Sequence, residues 1–210
     1  KYYKEQTIIT TGLSKWCGAG GWRLGVMLIP KELSGDFKEV ILGIASETYS
    51  CAPSPVQWAA IDAYDSYEKV LDYLSLQRHI LRNIGTYCAE KLRSIGVRCY
   101  DPVGGFYIMP DFEVFRDALA EKGIFGAQEL CQSLLEDVGV AVLPGTAFGY
   151  PKDYLTLRLA FVDFDGQSLM KQLSESPQLL NDPLFVKLYA PNVYLGINKL
   201  LSWVKEKGLG

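Results

Sequence analysis

A glycine-rich stretch near the start of the chain, Gly12–Gly25, carries a lysine and an arginine eight residues apart, Lys15 and Arg23. A lysine amine is a nucleophile that forms a Schiff base with a carbonyl compound, and an arginine offers a fixed fork of donors to a phosphate or a carboxylate. Glycines allow the backbone to approach a ligand closely. The stretch therefore predicts a Schiff-base lysine beside an anion site, and the same composition is also typical of a solvated turn.

A second arginine, Arg158, lies in a mostly apolar run, Leu155–Phe161, nine residues after the turn-like segment Pro144–Gly149. Burying a guanidinium among apolar side chains is costly unless an anion meets it. Two interpretations stay open from this pattern. Arg158 binds a ligand anion, or it faces solvent or pairs with a structural carboxylate such as Asp163.

The histidine and cysteine content restricts the chemistry further. His79 is the only histidine and lies in a helical pattern, which favours a role on a helix surface or in packing. The cysteines are odd in number and widely spaced without a Cys-x-x-Cys pair, which argues against a disulfide framework or a thiolate metal site and favours a reducing compartment. They are Cys17, Cys51, Cys88, Cys99 and Cys131.

The overall composition predicts an ordinary globular chain. It has 210 residues, 49% of them hydrophobic, and a net charge of −3. A chain of this length can bury a sizeable core, and its acidic balance offers no electrostatic footprint for nucleic acid or an anionic membrane. No apolar run approaches the ~18 residues of a membrane span. Because the chain begins with Lys1 and not with methionine, we expect it to be part of something longer.

The first half of the chain predicts two strands, Thr7–Thr11 and Leu24–Ile29, from their β-branched and apolar residues. The segment Phe37–Ala45 fits a strand or a helix, because its apolar run is too short for periodicity to decide. Apolar residues then recur at helical steps from Val56 to Ile95. This pattern predicts two helices, or one with a bend, ended by Gly96.

Strands and helices alternate more clearly in the second half. The predicted strands are Val97–Tyr100, Phe106–Met109, Val140–Leu143 and Tyr154–Phe161. The predicted helices are one that starts after Asp111 and stops at Gly123, then Ala127–Val138, Asp165–Leu173 and Pro191–Lys207. This alternation indicates an α/β or α+β chain.

Taken in order, these segments resemble the class I/II family of pyridoxal-phosphate-dependent aminotransferases, of the aspartate aminotransferase type. The motifs that carry the resemblance span roughly residues 7–165. They are Ser14-Lys15, the Gly-x-Arg-x-Gly step Gly21–Gly25, the Gly-x-Phe-Tyr strand Gly104–Tyr107, the turn Pro144–Gly149 and the Arg-Leu-x-Phe strand Arg158–Phe161.

The resemblance implies the C-terminal portion of the fold of pyridoxal-phosphate-dependent transferases, an α/β architecture. Residues 1–75 would be the C-terminal remnant of the large cofactor-binding domain, and residues 76–210 the small domain. The implied cofactor is pyridoxal 5′-phosphate, and no metal is implied.

The resemblance also assigns roles to individual residues. Lys15 would carry the cofactor as a Schiff base and serve as the proton shuttle, Arg23 would bind the cofactor phosphate, and Ser14 is a further implied phosphate contact. Arg158 would hold the α-carboxylate of the substrate and orient it for proton abstraction. Many family members have a phosphate-binding serine three residues before the lysine, where this chain has Gly12.

The implied activity is transfer of an amino group between an amino acid and a 2-oxo acid, in amino acid metabolism, with aspartate-like or broad specificity. The resemblance further implies a cytoplasmic homodimer with the Ser50–Gln57 stretch near its interface. Because the family's aspartate to the pyridine nitrogen precedes the lysine motif by many residues, we expect the isolated chain to have little activity. Two alternatives stay open: a catalytically incomplete module for folding or dimerisation, and a lyase on the same scaffold.

Overall fold

The computed structural model describes residues 3–65 and 67–209, and the chain divides into two compact units, Lys1–Ser75 and Leu76–Gly210. These bounds coincide with the two segments expected from the sequence. The roles expected for those segments, a remnant of a large domain and a small domain, stay predictions.

The first unit joins a two-stranded antiparallel sheet to helices. Its elements are β1 (Ile9–Gly12), α1 (Leu13–Trp16), β2 (Gly25–Leu28), α2 (Gly35–Thr48), α3 (Ser54–Asp65) and the start of α4 (Tyr67–Arg93). The two predicted strands are confirmed with bounds shifted by one or two residues. The segment that fitted either a strand or a helix lies within α2.

Strands β1 and β2 pair so that Ile9 lies opposite Leu28 and Gly12 lies opposite Gly25. The strands approach closely at this glycine pair, because a Cβ added to Gly12 would lie 2.9 Å from the carbonyl oxygen of Leu24. The pairing brings Leu24 into a small buried cluster with Leu13 and Ala60.

The second unit contains a three-stranded antiparallel sheet and several helices. Its further elements are β3 (Tyr107–Ile108), α5 (Arg116–Ala120), α6 (Ala127–Val138), β4 (Leu143–Pro144), β5 (Leu157–Ala160), α7 (Gly166–Glu175), α8 (Phe185–Tyr189) and α9 (Pro191–Glu206). The strand order is β3-β5-β4, so β5 is central.

A continuous apolar core fills the second unit. It receives side chains from α4, α6, α9 and the buried face of β5, and the largest fully buried ones include Trp203, Phe112 and Phe161. The contact between α6 and α9 is also polar. Asp137 accepts hydrogen bonds from the indole Nε1 of Trp203 and from Ser133, each 2.8 Å long, and forms an ion pair with Lys207.

Local helix signals in the second half of the chain are confirmed. Helix α6 spans the predicted Ala127–Val138, and Gly139 ends it in the left-handed region with φ 69°. Asp165 caps α7, because its carboxylate accepts a hydrogen bond from the Ser168 amide. Helix α8 was not predicted and lies between the predicted helices Asp165–Leu173 and Pro191–Lys207.

Two of the predicted strands are wrong in whole or in part. In Val97–Tyr100, only Arg98 forms a bridge, to Asp111, because Pro102 and two glycines follow at once and end the pairing. In Val140–Leu143, pairing begins only at Leu143. The amide of Val140 donates to the carbonyl of Leu134 and so still belongs to the end of α6.

All five cysteines are free thiols, and they are distributed unequally. Cys17 and Cys51 are half-buried and exposed, respectively, whereas Cys88, Cys99 and Cys131 are buried in the second unit. Within the described ranges, the structure has no cluster of residues able to hold a metal ion. None of the helices described there combines the length and hydropathy that a membrane span requires.

Candidate functional site

The residues with candidate roles lie in both units: Ser14, Lys15 and Arg23 in the first, and Arg158 in the second. Strand β1 ends at Gly12, and the chain turns directly into the short helix α1. Within that turn Leu13 is buried, Ser14 is half-buried and Lys15 is exposed.

The turn that carries Lys15 is anchored on both sides. The amides of Cys17 and Ala19 both donate to the carbonyl of Leu13, at 3.2 and 3.1 Å, which closes the chain around α1. The hydroxyl of Tyr73, from the first turns of α4, donates to the carbonyl of Cys17 at 2.9 Å. Sequence reasoning did not identify Tyr73, because it lies far along the chain from the lysine.

Arg23 follows a 3₁₀ turn, Gly20–Trp22, and has a left-handed backbone conformation with φ 55°. This conformation is uncommon for a residue with a side chain. Its guanidinium Nη1 donates to the carbonyl of Gly20 at 2.7 Å, so the side chain folds back over the glycines. Beside it, Gly21 has open space where a Cβ would lie. Arg23 as a whole is exposed.

Arg23 lines an open cleft of about 1030 Å³ within the first unit. The walls are formed by both strands, by α2 and by the segment between α2 and α3. Arg23 is the only charged residue among the described residues that line it, and most of the others are apolar. Ser14 and Lys15 are not among those lining residues, so the structure brings the arginine to the cleft but not the lysine.

Part of the Ser50–Gln57 stretch lines the same cleft as Arg23. Ser50 ends α2 in a left-handed conformation with φ 65°, and its amide donates to the carbonyl of Ala45 at 2.9 Å. The side-chain amide of Gln57 donates to the carbonyl of Ala52 at 2.7 Å and so fixes the bend before α3. The predicted proximity of this stretch to a dimer interface stays a prediction.

In the second unit, Arg158 occupies the central strand β5 on the face away from the core. Its neighbours Leu157 and Leu159 are buried, while Arg158 is half-buried and Ala160 is exposed. This alternation follows from the two-residue period of a strand. Arg158 therefore lies on the outward face of β5, as one of the two interpretations expected. It is half-buried there and not fully exposed to solvent.

Two aromatic rings contact the Arg158 guanidinium. Its Cζ lies 4.2 Å from the ring centroid of Tyr107 and 4.3 Å from that of Phe148. Both rings lie in motifs that the sequence singled out, yet their contact with the arginine was not predicted. The neighbouring Phe106 packs against the apolar core, and its ring centroid lies 4.6 Å from that of Tyr107.

The turn after β4 places Phe148 next to the arginine. Gly145 begins a 3₁₀ turn and Gly149 ends it with φ 86°. A Cβ on Gly145 would lie 2.4 Å from the Thr156 Cγ2, and the Gly145 amide donates to the Thr156 carbonyl at 2.8 Å. Only glycine therefore lets this turn pack closely against the residues before β5.

Nearby carboxylates in the second unit have other partners. Asp163, the suggested structural partner of Arg158, accepts a hydrogen bond from the Asn192 amide at 3.3 Å. Asp111 is paired with Arg98 and accepts from the hydroxyl of Tyr154, which raises the pKa of that phenol. Within residues 3–65 and 67–209, no carboxylate forms an ion pair with Arg158.

Residues 1–164 match the model of a protein family described as "Aminotransferase class I and II". The chain is 34% identical to an aspartate aminotransferase of Geobacillus stearothermophilus over 149 residues, which make up 70% of this chain and 35% of that protein. The chain thus spans about a third of the length of the curated relatives it matches.

Solved structures share the fold. The aromatic aminotransferase from Pyrococcus horikoshii OT3 superposes with a TM-score of 0.66 at 21% identity, covering 100% of this chain and 46% of that one. An aspartate aminotransferase from Thermus thermophilus, solved with maleate, gives a TM-score of 0.62 at 22% identity and covers 84% of this chain and 42% of its own. The α/β architecture is accordingly that of part of an aminotransferase.

Proposed function

The chain belongs to the class I and II aminotransferase family, and from this premise we propose that it contributes the cofactor lysine and two anion-binding arginines to a pyridoxal-phosphate-dependent enzyme. The enzyme transfers an amino group between an amino acid and a 2-oxo acid. One observation carries the proposal: a half-buried arginine in the centre of the second unit's sheet, without a carboxylate partner among the described residues.

The residues of the first unit suit a cofactor that bears a carbonyl and a phosphate. Lys15 provides an exposed amine, and Arg23 provides a guanidinium beside glycines where a Cβ would meet nothing at Gly21. Ser14 adds a half-buried hydroxyl. A cation with several N–H donors and an open backbone is the usual donor set for a phosphate. We assign the carbonyl to Lys15 and the phosphate to Arg23, with Ser14 as a further contact.

The cofactor, when bound, supplies an electron sink for the carbanion that forms at the substrate Cα. The chain supplies binding, orientation and proton movement. Arg158 holds the α-carboxylate of the substrate through paired N–H donors, which fixes the direction of the Cα–H bond. Once the substrate amine has displaced Lys15 from the carbonyl, the released Nζ of Lys15 would take the proton from Cα as a general base.

In this proposal, other residues of the active site belong to protein outside these 210 residues. The support is the share of the relatives that the chain covers, 35% in the Geobacillus enzyme. Val40 and Ile44, four residues apart on one face of α2, are each more than half exposed, and exposed apolar surface of this kind is typical of an interaction site. We assign this surface to the rest of the enzyme and to a homodimer.

The five free thiols support a cytoplasmic location.

We propose aspartate-like or broad specificity for the amino donor. The support is the name of the Geobacillus relative, an aspartate aminotransferase, and the Thermus structure, whose description includes maleate, a dicarboxylate. The Pyrococcus structure is that of an aromatic aminotransferase, so the shared fold admits other side chains.

Covalent capture tests the cofactor assignment. The 210-residue chain is mixed with pyridoxal phosphate, reduced with borohydride and digested, and mass spectrometry locates the label. We expect labelling at Lys15 and its loss in Lys15→Ala. Arg23→Gln should weaken binding of pyridoxal phosphate by about 10- to 100-fold, the loss of one charge-assisted interaction, and leave binding of pyridoxal unchanged.

Pyridoxal is the matched control because it lacks only the phosphate. Equal weakening of both ligands by Arg23→Gln would contradict the phosphate assignment, and labelling of other lysines in preference to Lys15 would contradict the lysine assignment. Robust turnover of aspartate and 2-oxoglutarate by this chain alone would contradict the need for further protein. In the intact enzyme, elimination products in place of amino-group transfer would identify a lyase.

A further inference from the structure

The two rings beside Arg158 come from opposite sides of its strand. Tyr107 belongs to β3 and Phe148 to the turn that follows β4, and these strands pair with the two edges of β5. In the register, Tyr107 lies opposite Ala160, which is on the same face of β5 as Arg158. Each ring centroid is within 4.3 Å of the guanidinium carbon, well inside the ~6 Å range of a cation–π contact.

This arrangement leaves the donors of the arginine available. The five N–H groups of a guanidinium all lie in its plane, and the Arg158 Cζ lies over the faces of both rings. Among the described residues, no hydrogen bond or ion pair engages the Arg158 side chain. The rings compensate part of the solvation that the half-buried cation loses, and they do so without using its hydrogen-bonding capacity.

The rings also restrict a side chain that is otherwise flexible. An arginine has several rotatable bonds, and a free one would have to be ordered when a ligand binds. A guanidinium already held in one place loses less conformational entropy on binding, so its affinity for a planar anion is higher. The side chain of Leu143, directly opposite Arg158 on β4, has no polar group that could hold the guanidinium instead.

We propose that Tyr107 and Phe148 are positioning residues that hold the Arg158 guanidinium from two sides and keep its N–H edge open for a carboxylate. This inference rests on the carboxylate-binding role of Arg158 proposed above. The aromatic rings carry the effect in this proposal, so removal of the Tyr107 hydroxyl should leave it unchanged. A general packing role would need only apolar volume at both positions.

Paired substitutions separate the two roles. Tyr107→Leu and Phe148→Leu keep apolar volume and remove the rings, whereas Tyr107→Phe and Phe148→Tyr keep the rings. Phe148 is 40% exposed, so its leucine variant is expected to fold. Each variant of the 210-residue chain is labelled with ¹⁵N, and its backbone spectrum is compared with that of the wild type to verify the fold.

The readout is the Arg158 Nε–Hε resonance during titration with maleate. We expect the leucine variants to bind maleate about five- to tenfold more weakly and the ring-keeping variants to bind within about twofold of the wild type. Wild-type affinity in both leucine variants, with loss of binding in Arg158→Lys, would overturn the positioning role alone. Unchanged binding in Arg158→Lys, or no shift of Arg158 in the wild type, would overturn the carboxylate-binding role and the inference with it.

Discussion

The two units of this chain bury their apolar residues very differently. In the first unit, the buried cluster consists of Leu13, Leu24 and Ala60, and α2 has no buried residue at all. In the second unit, side chains from the sheet and from several helices form one continuous core. Apolar residues are frequent in both units, so composition alone does not indicate which unit is stabilised from within.

The candidate binding residues reflect the same difference. Lys15 and Arg23 lie in short local turns, each closed by hydrogen bonds to nearby backbone carbonyls. Arg158 lies on a central strand and is contacted by rings from two other elements. The second unit therefore preorganises its arginine through tertiary structure, whereas the first unit positions its lysine and arginine mainly through the local course of the chain.

The largest expected effect is loss of a core side chain from the second unit. Leu134→Ala should lower the free energy of unfolding of that unit by about 2–5 kcal/mol, because Leu134 is fully buried. Leu24→Ala in the first unit should cost less, since its smaller surroundings collapse more easily. Urea denaturation followed by amide hydrogen exchange assigns each loss to its unit.

Leu135→Ala is the matched control for Leu134, because the next residue on the same helix is 48% exposed. It should change stability by about 0.5 kcal/mol or less. A Leu24→Ala cost equal to that of Leu134→Ala would show that the two units do not differ in how strongly their cores stabilise them.

A smaller effect is expected where β1 and β2 approach each other. Gly12→Ser should destabilise the first unit by about 1–3 kcal/mol, because the added Cβ would lie 2.9 Å from the Leu24 carbonyl oxygen. Gly21→Ser, where a Cβ meets nothing within 4 Å, is the control and should be nearly neutral. Thermal unfolding monitored by hydrogen exchange of the β1 and β2 amides measures the stability of both variants. Equal stability of Gly12→Ser and Gly21→Ser would show that the strands move apart at Gly12 without loss of stability.

The smallest effect concerns acid stability of the second unit. Hydrogen bonds from Lys207, Trp203 and Ser133 lower the pKa of Asp137 to about 2, from 3.8. Because the folded pKa is below the unfolded one, this contribution is present above about pH 4 and is lost as the pH falls toward 2. Asp137→Asn should therefore flatten the decline of the urea midpoint between pH 5 and pH 2.

Titration of the Asp137 carboxyl by NMR provides the independent check. A midpoint near 4 in the folded protein would show that the three donors do not engage this carboxylate in solution. Amides of the first unit should give the same acid profile in the wild type and in Asp137→Asn.

Features with short-range causes were predictable from the sequence. Helix α6 is an example, because its apolar spacing and the glycine that ends it both lie within the element. The failed strand at Val97–Tyr100 depended on a partner farther along the chain and on the proline that interrupts pairing. The same reasoning located Arg158 but not the rings of Tyr107 and Phe148, which only the strand order β3-β5-β4 brings to it.

The distribution of the cysteines gives this chain two chemical handles without any mutation. Burial raises the pKa of the Cys88 thiol to about 12 and that of the Cys99 and Cys131 thiols to about 11. Alkylating reagents attack the thiolate, so these three should stay unmodified in the native protein at neutral pH. A maleimide dye would then attach to Cys17 and Cys51, close to Lys15 and in the wall of the Arg23 cleft, and would report ligand binding by fluorescence.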